Sequence, residues 1–331
     1  MRRGSLVQLI VLGLIAGAIT GAVAWWIPWL PESAGEEADR IDFVFWFVTV
    51  IAVAVFATVV AVLVYSVVKF RAKPDDLSDG PPTHGHTGLE IWWTAIPTVL
   101  VTAISIVSAI VLAQNSRAGN ALEIKVVAQQ FAWQFTYPNG QTYGSLRIPN
   151  GRPTRLDITA KDVLHSFWVP QLGQKQDAVP GQHNRIVITP NRTGIFPVIC
   201  TELCGLGHAI MRSQVQVMEP AAYRRWVRSG GKPAGNEDPG LAVFNGQGCN
   251  GCHTFTAAAS GAQIGPNLDQ LQDEAKGAAK PLEAFIRESI LNPDAYIEPS
   301  YQAGVMPSFE GRIPAKDLDA LVQYLAENAK S

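Results

Sequence analysis

The sequence predicts a multidomain membrane protein with a transmembrane helical hairpin, then an all-β domain, then a small all-α domain, along 331 residues. Long apolar runs are concentrated in the N-terminal third, as membrane-spanning helices require. Short alternating runs separated by turn residues follow, and a glycine-rich segment precedes a helical C-terminal part. The net charge is −2, which gives no indication of nucleic-acid binding.

Residues 1–30 form a signal peptide or a first membrane segment. Arg2 and Arg3 precede an apolar run over residues 6–30, a pattern that both kinds of segment share. The sequence AVA at 22–24 could serve a signal peptidase, yet the apolar run continues beyond it. Both interpretations stay open.

Residues 41–113 are predicted to form two transmembrane helices joined by a cytoplasmic loop at 71–88. The apolar runs at 41–70 and 90–112 each exceed the roughly 20 residues that cross a bilayer. Their length argues against a buried helical hairpin. Basic residues in the connecting loop place it in the cytoplasm, so everything after the second span lies outside. Glu90, at the cytoplasmic edge of that span, is either a functional acid or an ordinary interfacial one.

Residues 120–220 are predicted to form a β sandwich or barrel. The runs EIKVVA, RLDITA, RIVITP and SQVQVM alternate in polarity and are separated by Pro-Asn-Gly and Pro-Gly turns. A short helix and a flexible linker follow at 221–238. In the last domain, 239–331, helices are predicted at 240–246, 281–291 and 314–328. That domain has little aliphatic content, so a covalently held cofactor would help it fold.

The stretch CTELCGLGHAIM at 200–211 combines two cysteines, a histidine and a methionine in a soft ligand set. Thiolate and imidazole suit copper or zinc, and a thioether favours copper. A site for one copper would not need both thiolates, so the second cysteine indicates a binuclear centre. The predicted copper ligands are His165, Cys200, Glu202 through its backbone carbonyl, Cys204, His208 and Met211.

Two other interpretations of this motif are a Cys200–Cys204 disulfide and a zinc site. Each explains the two cysteines. Neither explains why His208 and Met211 follow them at this spacing.

The sequence CNGCH at 249–253 is the attachment motif for c-type haem, in which Cys249 and Cys252 bind the haem covalently and His253 binds the iron. A thioredoxin-like CxxC would need a βαβ context, and zinc would need further ligands. Met306 is the only methionine after Met218, which makes it the predicted second axial ligand rather than a core methionine. Histidine–methionine ligation raises the iron potential.

Three segments, LEIWWTAIP at 89–97, HSFWVPQLGQKQDAVPG at 165–181 and CTELCGLGHAIM, together resemble subunit II of bacterial haem–copper cytochrome c oxidase. The resemblance covers about residues 40–220, and a C-terminally fused cytochrome c domain follows it. It implies a cupredoxin-like Greek-key barrel carrying copper A, then a class I cytochrome c domain. It also implies a magnesium ion shared with subunit I at the Glu202 side chain, and a proton-uptake entrance at Glu90.

The resemblance implies an electron-transfer subunit of a terminal respiratory oxidase. Electrons would pass from an external donor through covalent haem c to binuclear copper A and on to subunit I, which reduces oxygen to water. Expected partners are subunit I, subunit III, membrane lipid, and a quinol–cytochrome c reductase or small cytochrome as donor. The expected location is the bacterial cell membrane, with the copper and haem domains on the extracytoplasmic side. The alternatives are the copper A subunit of a nitric oxide reductase, a membrane-anchored electron shuttle and a copper-handling protein.

Phe131 departs from the family pattern. In the aromatic stretch AQQFAWQF, members of the family have a tryptophan where this chain has Phe131. In those proteins, that tryptophan is the place where electrons from a docked cytochrome c enter the subunit. A tethered donor has a high effective concentration, so a surface tuned to capture a soluble donor matters less. The glycine-rich linker at 229–235 allows many orientations of the haem domain, so the sequence does not fix its position.

Overall fold

The computed structural model describes residues 3–71, 82, 84–230 and 238–329. The chain divides into two compact units. One contains Met1–Glu32 and Asp39–Gln114, and the other contains Ser33–Ala38 and Asn115–Ser331. Most of the predicted loop at 71–88 and most of the linker at 231–237 lie outside the described residues.

The first unit is built from three long apolar helices, α1 (Arg3–Trp26), α2 (Glu36–Lys69) and α3 (Thr87–Asn115). By length and composition each could cross a membrane. The predicted hairpin is confirmed as α2 and α3, while α1 covers the segment interpreted as a signal peptide or first membrane segment. Leu14, Val50 and Val99 expose about two thirds of their side chains (69%, 68% and 66%), which suits helices that have lipid as their solvent.

The β domain in the second unit consists of two five-stranded sheets. Their orders are β3-β2-β1-β5-β8 and β4-β10-β9-β6-β7. The strands are β1 (Leu122–Gln129), β2 (Ala132–Thr136), β3 (Thr142–Tyr143), β4 (Leu146–Pro149), β5 (Thr154–Ala160), β6 (His165–Trp168), β7 (Lys175–Ala178), β8 (Asn184–Ile188), β9 (Gly194–Cys200) and β10 (Arg212–Met218). Along β5, buried and half-buried residues alternate, as a strand with one face on a core requires. The predicted all-β domain is confirmed.

The register of the second sheet brings distant segments to one end of the barrel. Phe167 on β6 pairs with Cys200 on β9, and Ile199 on β9 pairs with Arg212 on β10. The start of β6, the end of β9 and the start of β10 therefore meet. The loop at 201–211 connects β9 to β10 at this place.

The β domain is followed by α4 (Pro220–Arg228) and then by a helical region. That region contains α5 (Pro239–Gly246), a small hairpin of β11 (Thr254–Phe255) and β12 (Ser260–Gly261), α6 (Leu271–Gly277), α7 (Leu282–Leu291) and α8 (Ala315–Asn328). Three of these helices begin within one residue of the predicted positions. Helix α6 is an addition, because its seven residues offer too short a pattern to predict.

Helices α5 and α8 pack closely because α5 carries Gly240. A Cβ atom at Gly240 would clash with Tyr324 and with the Ala320 carbonyl oxygen on α8. Asp238 caps the start of α5 by accepting hydrogen bonds from the Gly240 and Leu241 amides, at 2.7 and 3.3 Å. The region is helical apart from the two-residue strands β11 and β12, which confirms the predicted all-α class. Helix α5 ends three residues before the cysteine motif at 249–253.

Candidate functional site

The predicted copper ligands of the β domain converge into one cluster, here called the thiolate cluster. Its two sulfur atoms, Cys200 Sγ and Cys204 Sγ, lie 3.9 Å apart and both residues are buried. Cys200 Sγ lies 4.0 Å from His165 Nδ1 and 3.4 Å from the Glu202 carbonyl oxygen. The donor atoms of His165, Cys200 and Cys204 lie within 4.8 Å of one another, which makes them a candidate metal site.

The other half of the thiolate cluster forms around Cys204. Cys204 Sγ lies 3.6 Å from His208 Nδ1 and 3.8 Å from Met211 Sδ. The arrangement thus has two sulfur atoms at its centre, with an imidazole on each side. The structure brings all six predicted donor groups together.

The backbone fixes the 200–211 loop to the sheet. The Cys200 amide donates to the Met211 carbonyl at 3.2 Å, which closes the base of the loop. The Thr201 amide donates to the Ser166 carbonyl at 3.0 Å, which ties the loop to β6. These two backbone hydrogen bonds attach the loop to β6 and close it at the start of β10.

His165 is oriented by a carboxylate. Its Nε2 lies 2.9 Å from Asp162 Oδ1, while its Nδ1 faces Cys200. Asp162 in turn accepts hydrogen bonds from the Gln130 and Val163 amides, both at 2.7 Å. A carboxylate on the outer nitrogen of a histidine fixes the ring and raises its basicity as a metal ligand.

The two thiols of the cluster differ in acidity. Burial opposes ionisation of Cys200, but hydrogen bonds from His165 and from the Glu202 and Ser166 backbone outweigh it and lower the pKa. Burial raises the pKa of Cys204, and the neighbouring Cys200 raises it further. Metal binding requires both cysteines as thiolates, and a bound cation would compensate the charge of the second.

The donor set fits copper. Two thiolates, two imidazoles and a thioether are soft or intermediate ligands, and a thioether distinguishes copper from zinc sites. The two cysteines are free thiols, so the disulfide interpretation is not what the structure shows.

The predicted haem residues also come together, around a cavity in the helical region, here called the haem cavity. Its lining includes Cys249, Cys252, His253 and Met306. Buried apolar side chains complete much of the wall, namely Phe244, Leu271, Phe285, Ile286, Ile290, Phe309, Leu321 and Leu325. The cavity therefore offers an apolar interior with two thiols, an imidazole and a thioether on its surface.

His253 is held against the backbone with one nitrogen committed. Its Nδ1 donates a hydrogen bond to the Pro266 carbonyl oxygen at 2.9 Å. The lone pair of Nε2 is then available to bind a metal. A Cβ atom at Gly265 would lie 2.5 Å from His253 Cε1, so the ring occupies the space of a side chain there. Burial lowers the pKa of His253, and the bond to Pro266 opposes this only in part. The imidazole is thus neutral and fit to bind a metal.

The two thiols of the haem motif are weaker acids than an ordinary cysteine. Burial raises the pKa of Cys249 to about 12, with a further contribution from Cys252. Burial also raises the pKa of Cys252. Thioether bonds carry no charge and suit this apolar setting, so the cavity and its cysteines fit a covalently held haem.

Two predicted carboxylates remain, the side chains of Glu202 and Glu90. The Glu202 side chain is half-buried on the 200–211 loop. Glu90 is in the first turn of α3, where its Oε1 accepts from the His86 amide at 3.0 Å. Neither carboxylate belongs to a cluster of potential metal ligands among the described residues.

Sequence reasoning missed three features. Asp162 was not identified, although it lies three residues before His165. Glu274 and Glu298 line the haem cavity, and no motif marks them. Phe131 was noted for its identity, but its place in the haem cavity wall depends on contacts between distant segments.

Comparison with known protein families agrees with this organisation. The family model of the cytochrome c oxidase subunit II transmembrane domain matches residues 23–111. The model of the periplasmic domain of the same subunit matches residues 141–218, and the cytochrome c model matches residues 238–329.

Two curated relatives align with most of this chain and with most of their own length. Cytochrome c oxidase subunit 2 of Synechocystis sp. is 32% identical over 70% of this chain and 86% of its own length. The subunit 2 of Alkalihalophilus pseudofirmus is 33% identical over 83% of this chain and 82% of its own. The crystal structure of the periplasmic domain of cytochrome oxidase subunit II from Bradyrhizobium japonicum is 29% identical over 34% of this chain and 96% of that chain, with a TM-score of 0.32. The chain belongs to the cytochrome c oxidase subunit II family and carries a C-terminal cytochrome c domain.

Proposed function

We propose that this chain holds a binuclear copper A centre in its β domain and a covalently bound haem c in its C-terminal domain. Membership of the family makes it an electron-transfer subunit of a terminal oxidase that binds copper and haem. The finer assignment is carried by one observation. Six donor groups contact one another through two central sulfur atoms, at distances of 3.4 to 4.0 Å.

The copper residues have distinct roles. Cys200 and Cys204 would supply two thiolate ligands, and His165 and His208 would supply the two imidazole ligands. Met211 would add a weak thioether ligand, and the Glu202 backbone carbonyl would add an oxygen ligand. Asp162 orients His165 through Nε2. The buried position of both cysteines would keep water away from bound metals.

The residues of the haem cavity also have distinct roles. Cys249 and Cys252 would attach the haem, and His253 and Met306 would supply the protein ligands of its iron. The Pro266 carbonyl and Gly265 position the His253 ring. The apolar wall of the haem cavity excludes water and favours the reduced, less charged iron.

When bound, the haem and the copper pair supply one-electron transfer from an external donor toward subunit I, where oxygen is reduced. The residues of this chain would bind the haem and the copper pair, set their ligand fields and exclude water from them. No residue of this chain is assigned to oxygen chemistry.

Several partner assignments rest on the family pattern and belong to the proposal. Glu202 would share a magnesium ion with subunit I, and Glu90 would stand at a proton-uptake entrance. Subunit III, membrane lipid, and a quinol–cytochrome c reductase or small cytochrome as donor complete the set. The membrane is that of a bacterial cell, with the copper and haem domains on the extracytoplasmic side. The named relatives are oxidase subunits, which favours this function over that of a nitric oxide reductase.

Electron paramagnetic resonance of the purified chain, with a haem stain on a denaturing gel, tests the proposal. We expect a hyperfine pattern from one electron shared equally by two coppers, and a haem that survives denaturation. A single-copper spectrum from fully copper-loaded protein would refute the binuclear assignment. Loss of all haem on denaturation would refute covalent attachment.

A further inference from the structure

The C-terminal cytochrome domain contacts the β domain through backbone atoms. The amides of Gly144 and Ser145, between β3 and β4, both donate to the Gly246 carbonyl oxygen, at 2.8 and 3.0 Å. Gly246 is the last residue of α5, three residues before Cys249. The haem-attachment motif is therefore anchored directly to an edge of the β domain.

This contact requires a glycine. A Cβ atom at Gly144 would lie 2.6 Å from the Gln247 carbonyl carbon and 2.9 Å from its Cα. The three nearest atoms to that position all belong to Gln247. The cytochrome domain thus occupies the space that any side chain at Gly144 would need.

Side chains extend the same contact. With its amide oxygen turned toward Arg312, Gln134 on β2 accepts from Arg312 Nε at 2.7 Å. The two domains also carry opposite charge. Residues 122–230 have 12 lysines and arginines against 6 aspartates and glutamates, whereas residues 238–329 have 5 against 12. Opposite net charges attract the tethered domains and favour a closed arrangement.

Phe131 lies where the haem cavity meets the 200–211 loop. Among the described residues that line the haem cavity, Phe131 is the one contributed by the β domain. Its ring also packs on the loop, since a Cβ atom at Gly207 would lie 2.6 Å from Phe131 Cγ. The neighbouring Gln130 side chain donates to the Cys204 carbonyl at 2.5 Å. One half-buried ring thus touches both the haem cavity and the loop that carries the thiolate cluster.

We propose that Gly144 and Ser145 form a latch that holds the cytochrome domain closed on the β domain, and that Phe131 is the positioning residue that couples the haem cavity to the thiolate cluster. The proposal deepens the function proposed above and rests on it for the electron step. In that step the reduced haem iron gives up one electron and the oxidised copper pair gains it, with no bond or proton transferred. External electrons then enter through the haem, because the cytochrome domain covers the Phe131 face of the loop.

Hydrogen–deuterium exchange of the full chain tests the latch. We expect the Gly144 and Ser145 amides to be protected, and Gly144→Val to speed their exchange by about tenfold or more because their acceptor is displaced. Gly261→Val in the cytochrome domain is the matched control, since nothing lies within 4 Å of its Cβ position. Rapid exchange of both amides in the unmodified chain, or equal protection in the two variants, would overturn the latch.

Flash photoreduction of the haem tests Phe131. We expect Phe131→Leu, which keeps an apolar side chain, to slow electron transfer to copper severalfold while the two latch amides stay protected. Phe131→Tyr keeps the ring and should restore the rate. An unchanged rate in Phe131→Leu would overturn the coupling role. Absence of copper or covalent haem would instead refute the proposed function, and the exchange experiment would still decide the latch.

Discussion

The two cysteine pairs of this chain show opposite ways of preparing a protein for a redox group. Around Cys200 and Cys204, each donor atom already lies within 4.0 Å of one of the two sulfur atoms, held by strands and backbone bonds. Around Cys249 and Cys252, the side chains line a cavity, and Met306 comes from a segment more than fifty residues later. The copper site is organised by the sheet, whereas the haem domain is organised around the space for its cofactor.

The largest effect expected from this contrast is loss of the haem domain's fold when haem cannot attach. In Cys249→Ala with Cys252→Ala, the cavity wall loses its main packing partner, and a domain stabilised by only about 5–15 kcal/mol would unfold. Proteolysis and far-ultraviolet circular dichroism should show the helices of 239–329 lost. The copper spectrum should remain. Retention of the full helical signal without haem would contradict the contrast.

The reciprocal substitution should leave a folded domain. We expect Cys204→Ser to abolish the shared-electron copper spectrum while the β domain loses only about 1–3 kcal/mol of unfolding free energy, the usual cost of a poorly satisfied buried polar group. Denaturant unfolding of the β domain measures the second part, and the haem stain should be unaffected. Unfolding of the β domain at 25 °C would show that copper organises the sheet after all.

Asp162→Asn should weaken the copper site without removing a ligand. Loss of the carboxylate on His165 Nε2 should lower copper affinity about 10–100-fold, as outer partners of metal-binding histidines do. Chelator competition measures this. Asp157→Asn is the matched control, because Asp157 contacts the exposed His183 at 3.1 Å in the same domain. Equal affinity in the two variants would show that the sheet alone positions His165.

The smallest effect concerns the cavity wall. Burial, and then the nearby Glu298, raise the pKa of Glu274 to about 7. The folded state therefore binds this proton more tightly than the unfolded state, so its stabilising contribution is lost as pH rises from about 4.5 to 7. We expect Glu274→Gln to make the thermal midpoint of the haem domain less dependent on pH in that range.

Exposed Glu283 on α7 provides the control for that measurement, as Glu283→Gln should leave the pH profile unchanged. If the thermal midpoint of Glu274→Gln depends on pH as that of the unmodified chain does, then Glu274 does not have a raised pKa in the haem-bound domain.

The sequence predicted what depends on local spacing. Cys200, Cys204, His208 and Met211 lie within one loop, so their meeting follows from a short stretch of chain. His165 joins them only through the pairing of β6 with β9, which the ligand chemistry suggested but the local pattern did not determine. Helices α5, α7 and α8 were predicted because a proline precedes or begins each one and apolar residues repeat along them.

What the sequence could not predict depends on contacts between distant segments. Asp162 matters because a strand turns His165 toward it, and an aspartate three residues away carries no such signal. The hydrogen bond from the Gly144 amide to the Gly246 carbonyl joins the β domain to the helical region, and these two residues are far apart in the sequence. No periodicity in residues 120–150 marks Gly144 as a contact point.

The position of Gly246 has a consequence for the maturation of the chain. This residue ends the helix that leads into the haem motif, so its carbonyl reaches Gly144 and Ser145 only when the surrounding domain has folded. If that domain folds on its haem, attachment must precede closure. A chain without haem would then leave the Gly144 and Ser145 amides and the Phe131 ring exposed to solvent.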